Sequence, residues 1–265
     1  MKRITLGALD YGLAFGVDRA LRDLAENGRL SALGALVATE LWPREFRPLQ
    51  EVAEGVGQRT LFGITLAFSG DRVMPVSSRM QEIYGGRMFT REKLNRRAFF
   101  RLLPDELLMD EAVAQLARYS VLMQRPPDFV AVREGLLART SLARIIFKAV
   151  QRSDFEKAPL VISPLQSGLK TLRLSRLAKS HGLQVLPSSE PLPPTADTEE
   201  LQQLLLNHFD GMSDRSFVAA IPGKSDDRLM REEPRKKIAV RECQYEVLKS
   251  DRFFQTLDRK NIFLR

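Results

Sequence analysis

The chain has 265 residues, 44% of them hydrophobic, enough to bury a sizeable core, and no apolar run in it approaches the length of a membrane span. Lys and Arg outnumber Asp and Glu by 41 to 33, a net charge of +8 that favours anionic partners without naming one. The single cysteine, Cys243, excludes an internal disulfide, and Asp10 falls where a signal peptide would carry its uncharged core, so a soluble cytoplasmic protein with no membrane partner is expected.

In chain order, "RITLGAL" predicts a first strand, broken at "DYG" and followed by a helix. Val17, Ala20, Leu21, Leu24 and Ala25 recur on one face of that helix, Asp18, Arg19, Arg22, Asp23 and Glu26 on the other, and Gly28 closes it in the left-handed conformation. "LSALGALVAT" is apolar without clean alternation, as a strand covered on both sides is. A helix over "WPREFRPLQEVAEGVG", with Pro43 in its first turn, leads to a third strand, "RTLFGITLAFSG". Residues 70–103 then predict a long excursion containing a short helix. Its Met74, Met80, Met88, Phe89, Phe99 and Phe100 would cover a twin subunit, the cleft or the chain's own core.

The alternation resumes with a helix over 105–123, a strand at "PDFVAVR", a helix at "SLARIIFKAVQ", a strand at "PLVISP", a helix at "GLKTLRLSRLAKSHG" and a strand at "LQVLPS". Past the Pro-rich "SSEPLPPTADT" come a helix at "TEELQQLLLNHF", a strand at "SFVAAIPG", a charged loop, a last helix near 237–249 and a short strand at "NIFLR". Parallel strands need such crossover helices, and about seven or eight strand–helix units predict an α/β fold. The expected form is a single irregular (β/α) barrel of the triosephosphate-isomerase type spanning 1–265, rather than an open doubly wound sheet.

In such barrels chemistry sits at the C-terminal ends of strands. The candidate positions are Asp10 and Tyr11, Thr65, the run from Phe129 to Gly135, Ser163, and "AIPGK" ending at Lys224. The two histidines, His181 and His208, lie at helix ends and read as structural, as does Cys243 on a helix face. The basic stretches "NRRAFFR", "KTLRLSRLAK" and "PRKK" read as solvated sides of amphipathic helices; with no zinc-finger spacing and no RNA-binding aromatic signature, a nucleic-acid partner is not expected.

The segments "LDYGLAFGVDRALRDLAENGRLSALGALV", "FGITLAFSG" and "AIPGKSDDRL…VRECQYEVLKSDRFFQTLDRKNIFL" resemble the YdjC-like family of metal-dependent carbohydrate deacetylases over most of the chain. The family patterns D-D-F-G, G-x-H-L-x-L, P-x-H-x-D-x-H-x-H and H-P-G followed by R-x-x-E-x-x-x-L-x-S are matched in order and spacing. The resemblance implies a barrel whose site is an acid–imidazole–imidazole metal centre, with the first Asp of the pair as base. Position by position, Leu9 stands at the first acid and Asp10 at the second, Thr65 at the third-strand His, Phe129, Ala131, Arg133 and Gly135 at the His and Asp positions of the fourth, and Ile221 at the H-P-G histidine.

A divalent ion needs several deprotonated N or O donors converging on one point, and here one carboxylate remains. The expectation is therefore a family homologue that has lost its metal site and hydrolytic activity and either keeps a carbohydrate- or ligand-sized cleft or serves as a scaffold or regulatory partner, with Asp10 a relic and no cofactor where the family would use a divalent metal. Arg133 is its expected counter-charge. Asp10, Tyr11, Thr65, Arg133, Glu134 and Lys224 are the candidate contacts for a carbohydrate or other small ligand. Strand alternation turns Glu134 away from Phe129 and Arg133. Two alternatives stand: a working hydrolase of N-acetylated sugars that uses Asp10, Tyr11, Thr65, Arg133 and Glu134 as acid, base and oxyanion stabiliser, and a binding module for an anionic polymer.

Overall fold

The computed structural model describes residues 2–70, 72–165 and 168–265; residue 71 of the excursion lies outside that set. Strand β1 (Lys2–Tyr11) leads into helix α1 (Phe15–Glu26), strand β2 (Ala32–Ala35), helix α2 (Trp42–Val56) and strand β3 (Leu61–Leu66). Helices α3 (Ser78–Tyr84), α4 (Arg91–Phe99) and α5 (Asp105–Met123) precede β4 (Phe129–Val132), α6 (Thr140–Arg152), β5 (Leu160–Ile162), α7 (Leu169–Ser180) and β6 (Gln184–Leu186). The chain continues through α8 (Thr198–His208), β7 (Ser216–Ala219), α9 (Asp227–Glu232), α10 (Arg235–Lys249), α11 (Asp251–Arg259) and β8 (Ile262–Leu264). The strands join in the order β6-β5-β4-β3-β2-β1-β7, with β8 beside β1, and every pairing whose register is resolved is parallel. This is the α/β barrel arrangement that the sequence predicts.

The chain divides into two compact units. The first comprises Met1–Ala35, Arg47–Phe62 and Ser188–Arg265. In it β1 is buried from Ile4 to Ala8, covered on both faces. A Cβ on Gly7 would lie 2.6 Å from the Phe217 ring and 2.8 Å from Ala32 Cβ, so only glycine lets β2 and β7 close on β1 here. β7 is paired on both edges, by β1 and by the segment after β6, where Ser189 N–H donates to Phe217 O (2.8 Å) and Leu192 N–H to Ala219 O (2.9 Å). Helix α1 buries the predicted face and ends as expected: Gly28 has φ +66°, and Arg29 N–H returns to Leu24 O at 2.7 Å.

The second unit comprises Leu36–Phe46 and Gly63–Pro187. The predicted second strand is cut short at Ala35, because Thr39 Oγ1 donates to Leu36 O (3.0 Å) and turns the chain. The excursion holds two helices rather than one, each started by a hydroxyl: Ser77 accepts from Met80 N–H and Thr90 from Lys93 N–H. Met80 and Phe89 fold back into the core, whereas Met74, Phe99 and Phe100 stay exposed. Glu111 on α5 anchors the segment, buried and accepting from Val76 N–H (3.0 Å), Ser77 N–H (2.9 Å), Ser77 Oγ (2.8 Å) and Gln115 Nε2 (2.8 Å). Gln115 in turn bridges both backbone groups of Ala67, just past β3. Among the described residues no helix is long and apolar enough to cross a membrane.

Candidate functional site

In the first unit the end of β1 brings out Leu9 and Asp10, both partly exposed, while Tyr11 is buried with its hydroxyl accepting from Arg22 Nη1 at 2.6 Å. The counter-charge beside Asp10 is Arg241 of α10, whose Nη2 donates to Asp10 Oδ2 at 2.7 Å. The same guanidinium donates through Nε to Glu233 Oε2 (2.6 Å), through Nη2 to Glu233 Oε1 (2.8 Å) and through Nη1 to Ile221 O (3.3 Å). Lys237 Nζ completes the cluster at 2.7 Å from Glu233 Oε1. Two carboxylates thus face two cations, with the guanidinium side chain only 1% exposed.

Burial works against the charge of Arg241, but Asp10 and Glu233 outweigh it and raise its pKa. Burial likewise pushes Glu233 up, yet the bonds and charges of Arg241 and then Lys237 leave its pKa below the ordinary carboxylate value. A carboxylate held low in the folded state stabilises it above its unfolded pKa and loses that contribution as pH falls through the folded one. Stability is therefore expected to drop below about pH 4.3, the free Glu value, and Glu233→Gln should flatten that part of the pH–stability curve in urea titrations.

The loop after β7 closes over this cluster. Ile221 N–H donates to Gln244 Oε1 (2.7 Å), Gly223 N–H to Arg241 O (3.1 Å) and Lys224 N–H to Gly16 O (3.2 Å). A Cβ on Gly16 would stand 2.2 Å from Lys224 O, so the start of α1 must be glycine for the loop to seat. Asp226 fixes both partners: Oδ2 accepts from Gly16 N–H (2.6 Å) and Oδ1 caps α9 through Leu229 N–H (2.7 Å). Lys224 is exposed and lays its Nζ 4.6 Å above the Tyr245 ring.

In the second unit Thr65 is buried at the end of β3, its Oγ1 without a hydrogen-bond partner among the described residues. Phe129 and Ala131 are buried on β4, and the backbone and ring of Phe129 press on Gly63, where a Cβ would lie 2.4 Å from Phe129 O. Arg133 is half-buried, with Nη1 against Gly70. Glu134 corrects the sequence reading: β4 ends at Val132, so strand alternation does not aim it. It is exposed in a left-handed turn (φ 60°, ψ 20°) followed by Gly135 (φ 66°), and accepts from Ser69 Oγ at 2.5 Å. A left-handed non-glycine residue at a strand end is a strained feature of the kind that clusters at binding sites.

His181 closes α7 with Nδ1 2.8 Å from Gln151 Oε1; burial, then Lys148 and Arg144, lower its pKa. His208 is the last residue of α8, beside the Phe209 ring. Among the described residues no three His, Cys, Asp or Glu gather in a way that could hold a metal ion. The donors that are present do not suit one either. In the first unit the Asp10 carboxylate is bonded by a buried guanidinium and Ile221 offers hydrocarbon; in the second unit, taken by itself, Thr65 offers a neutral hydroxyl.

The family model described as YdjC-like protein matches residues 3–259. Among solved structures, a candidate cellobiose-phosphate cleavage protein of Enterococcus faecalis V583 superposes with a TM-score of 0.76 at 14% identity, covering 100% of this chain and 97% of its own, a likeness of fold. A fungal β-1,4-galactanase (12% identity, 82% of this chain and 74% of that one, TM-score 0.38) carries no argument at that score. Nor does Rhizobium etli pyruvate carboxylase (12%, 98% and 28%, 0.40). No curated protein matches the sequence.

Proposed function

We propose, on the premise that this chain belongs to the YdjC-like protein family, that it binds a carbohydrate at its strand ends and has given up metal-dependent hydrolysis. The observation that carries this reading is the bond from Arg241 to Asp10: the one acid left at the first strand's end is spent on a protein cation, inside a cluster whose charges balance. A divalent ion would have to displace a guanidinium that is also bonded to Glu233 and to Ile221 O.

Carbohydrate recognition asks for something different, namely neutral and charged groups that exchange hydrogen bonds with hydroxyls. The second unit offers such groups on the turns after β3 and β4: the half-buried Arg133 and the exposed Glu134, whose carboxylate Ser69 holds through its hydroxyl. The name of the E. faecalis neighbour adds a phosphorylated disaccharide to the sugars worth testing. Calorimetric titration with N-acetylated chito-oligosaccharides and with cellobiose phosphate should show binding of one of them, weakened about tenfold in Glu134→Ala by the loss of one hydrogen bond. No acetate should be released. Absence of binding by either sugar would refute the reading.

A second reading, hydrolysis by non-standard groups, draws on Ser69 Oγ donating to Glu134 Oε2, the geometry in which a carboxylate takes a hydroxyl proton. Acetate release that disappears in Ser69→Ala would decide for it.

A further inference from the structure

Between Arg139 and Gly182 the sequence carries nine Lys or Arg against two acids, Asp154 and Glu156: a balance of +7 where the whole chain carries +8. The charge is therefore local, concentrated on α6 and α7 of the second unit and the loops beside them. Among the described residues Lys170, Arg173, Arg176 and Lys179 of α7 have no acidic partner, so their charge faces solvent uncompensated.

Helix α7 turns Leu174 and Ala178 inward. Its outward stripe follows the helical spacing through Leu169, Leu172, Arg173 and Arg176, and the leucines stand in water: Leu169 is 70% exposed, Leu172 54%, and Leu165, just before the helix, 57%. A cavity of about 170 Å³ opens beside the stripe, lined by Thr140, Lys170 and Arg173 among others, roomy enough for a phosphate group between two cations. Exposed leucines interleaved with unpaired cations on one helix face match an element that lies in a membrane interface, where anionic headgroups meet the charges and the acyl boundary takes the apolar side chains.

We propose that α7, with the exposed Leu165 four positions ahead of it in sequence, forms a docking surface for a bilayer rich in anionic lipid. The lack of a spanning run, on which the sequence predicts no membrane partner, does not bear on a surface contact. A second copy of this chain is disfavoured as the occupant, because two faces of this charge repel. A nucleic acid is disfavoured by the stripe itself, which carries leucines and no exposed aromatic ring to stack on bases.

The test is co-sedimentation of the full chain with vesicles of phosphatidylcholine alone and of phosphatidylcholine with about a third phosphatidylglycerol, at physiological salt. Only the anionic vesicles should retain the protein. The double variant Leu169→Ser with Leu172→Ser should lower retention at least about tenfold through lost apolar burial. Lys170→Glu with Arg173→Glu should lower it at least about 25-fold, each cation near such a surface contributing about fivefold. All four side chains are exposed, so thermal melts of both variants should match the parent. Equal retention on both vesicle types would overturn the proposal. So would leucine variants that bind like the parent while a short DNA duplex displaces the vesicles, or a dimer in solution that the leucine variants dissolve.

Discussion

Arg241→Ala is expected to destabilise the chain by about 3–5 kcal/mol, the cost of leaving buried charge uncompensated. The guanidinium is bonded at once to Asp10, Glu233 and Ile221 O, so its removal leaves a nearly buried Glu233 with Lys237 as its partner among the described residues and frees the loop after β7. The effect should be far from symmetrical: Asp10→Asn keeps an acceptor at a partly exposed position and should cost less than about 1 kcal/mol. Urea unfolding of the two variants checks this. Near-equal losses would mean that Asp10, rather than Glu233, is the residue for which Arg241 is held.

Glu111→Ala should be comparably damaging, by about 3–5 kcal/mol, because it orphans several donors around a buried side chain, each costing about 1–3 kcal/mol. Val76 N–H, Ser77 N–H, Ser77 Oγ and Gln115 Nε2 all converge on this one carboxylate, and Gln115 passes the restraint to Ala67. The loss should be visible locally as well as globally. Limited proteolysis should cut residues 75–103 of the variant well before the parent, since that segment would lose its anchor. A change under about 1 kcal/mol, with unaltered cleavage, would show that the excursion is held by its apolar residues alone.

The parts of the fold that were legible were those where one local signal suffices. The buried face of α1, the left-handed Gly28 and the alternation of strands with helices all follow from periodicity and turn chemistry, and the structure has them. What was missed depends on partners far away in sequence. Asp18 sits on the polar side of the helical wheel yet is fully buried, because Gly12 N–H needs its Oδ1 at 2.6 Å. Glu111 and Gln115 did leave a trace: polar residues four apart on the stripe that also carries Leu108, Ala112, Leu116 and Tyr119, a sign of a buried polar bridge.

The candidate site divides the same way. Asp10 at a strand end could be found from sequence, and so could the need for a counter-charge. Which cation supplies it could not, because Arg241 reads as one more basic residue on an amphipathic helix until the loop from 220 to 226 is folded over it. Glu134 was misjudged for a simpler reason. A strand that stops at Val132 looks in sequence like one that continues, and nothing but the paired positive φ of Glu134 and Gly135 marks the turn.

The most direct test is titration of metal-free protein with zinc, followed by calorimetry, on the parent and on Asp10→Ala. If Asp10 is committed to Arg241, neither protein takes up a stoichiometric equivalent and the two traces coincide. One equivalent bound by the parent and lost in Asp10→Ala would contradict the account, since it would make the aspartate a metal ligand.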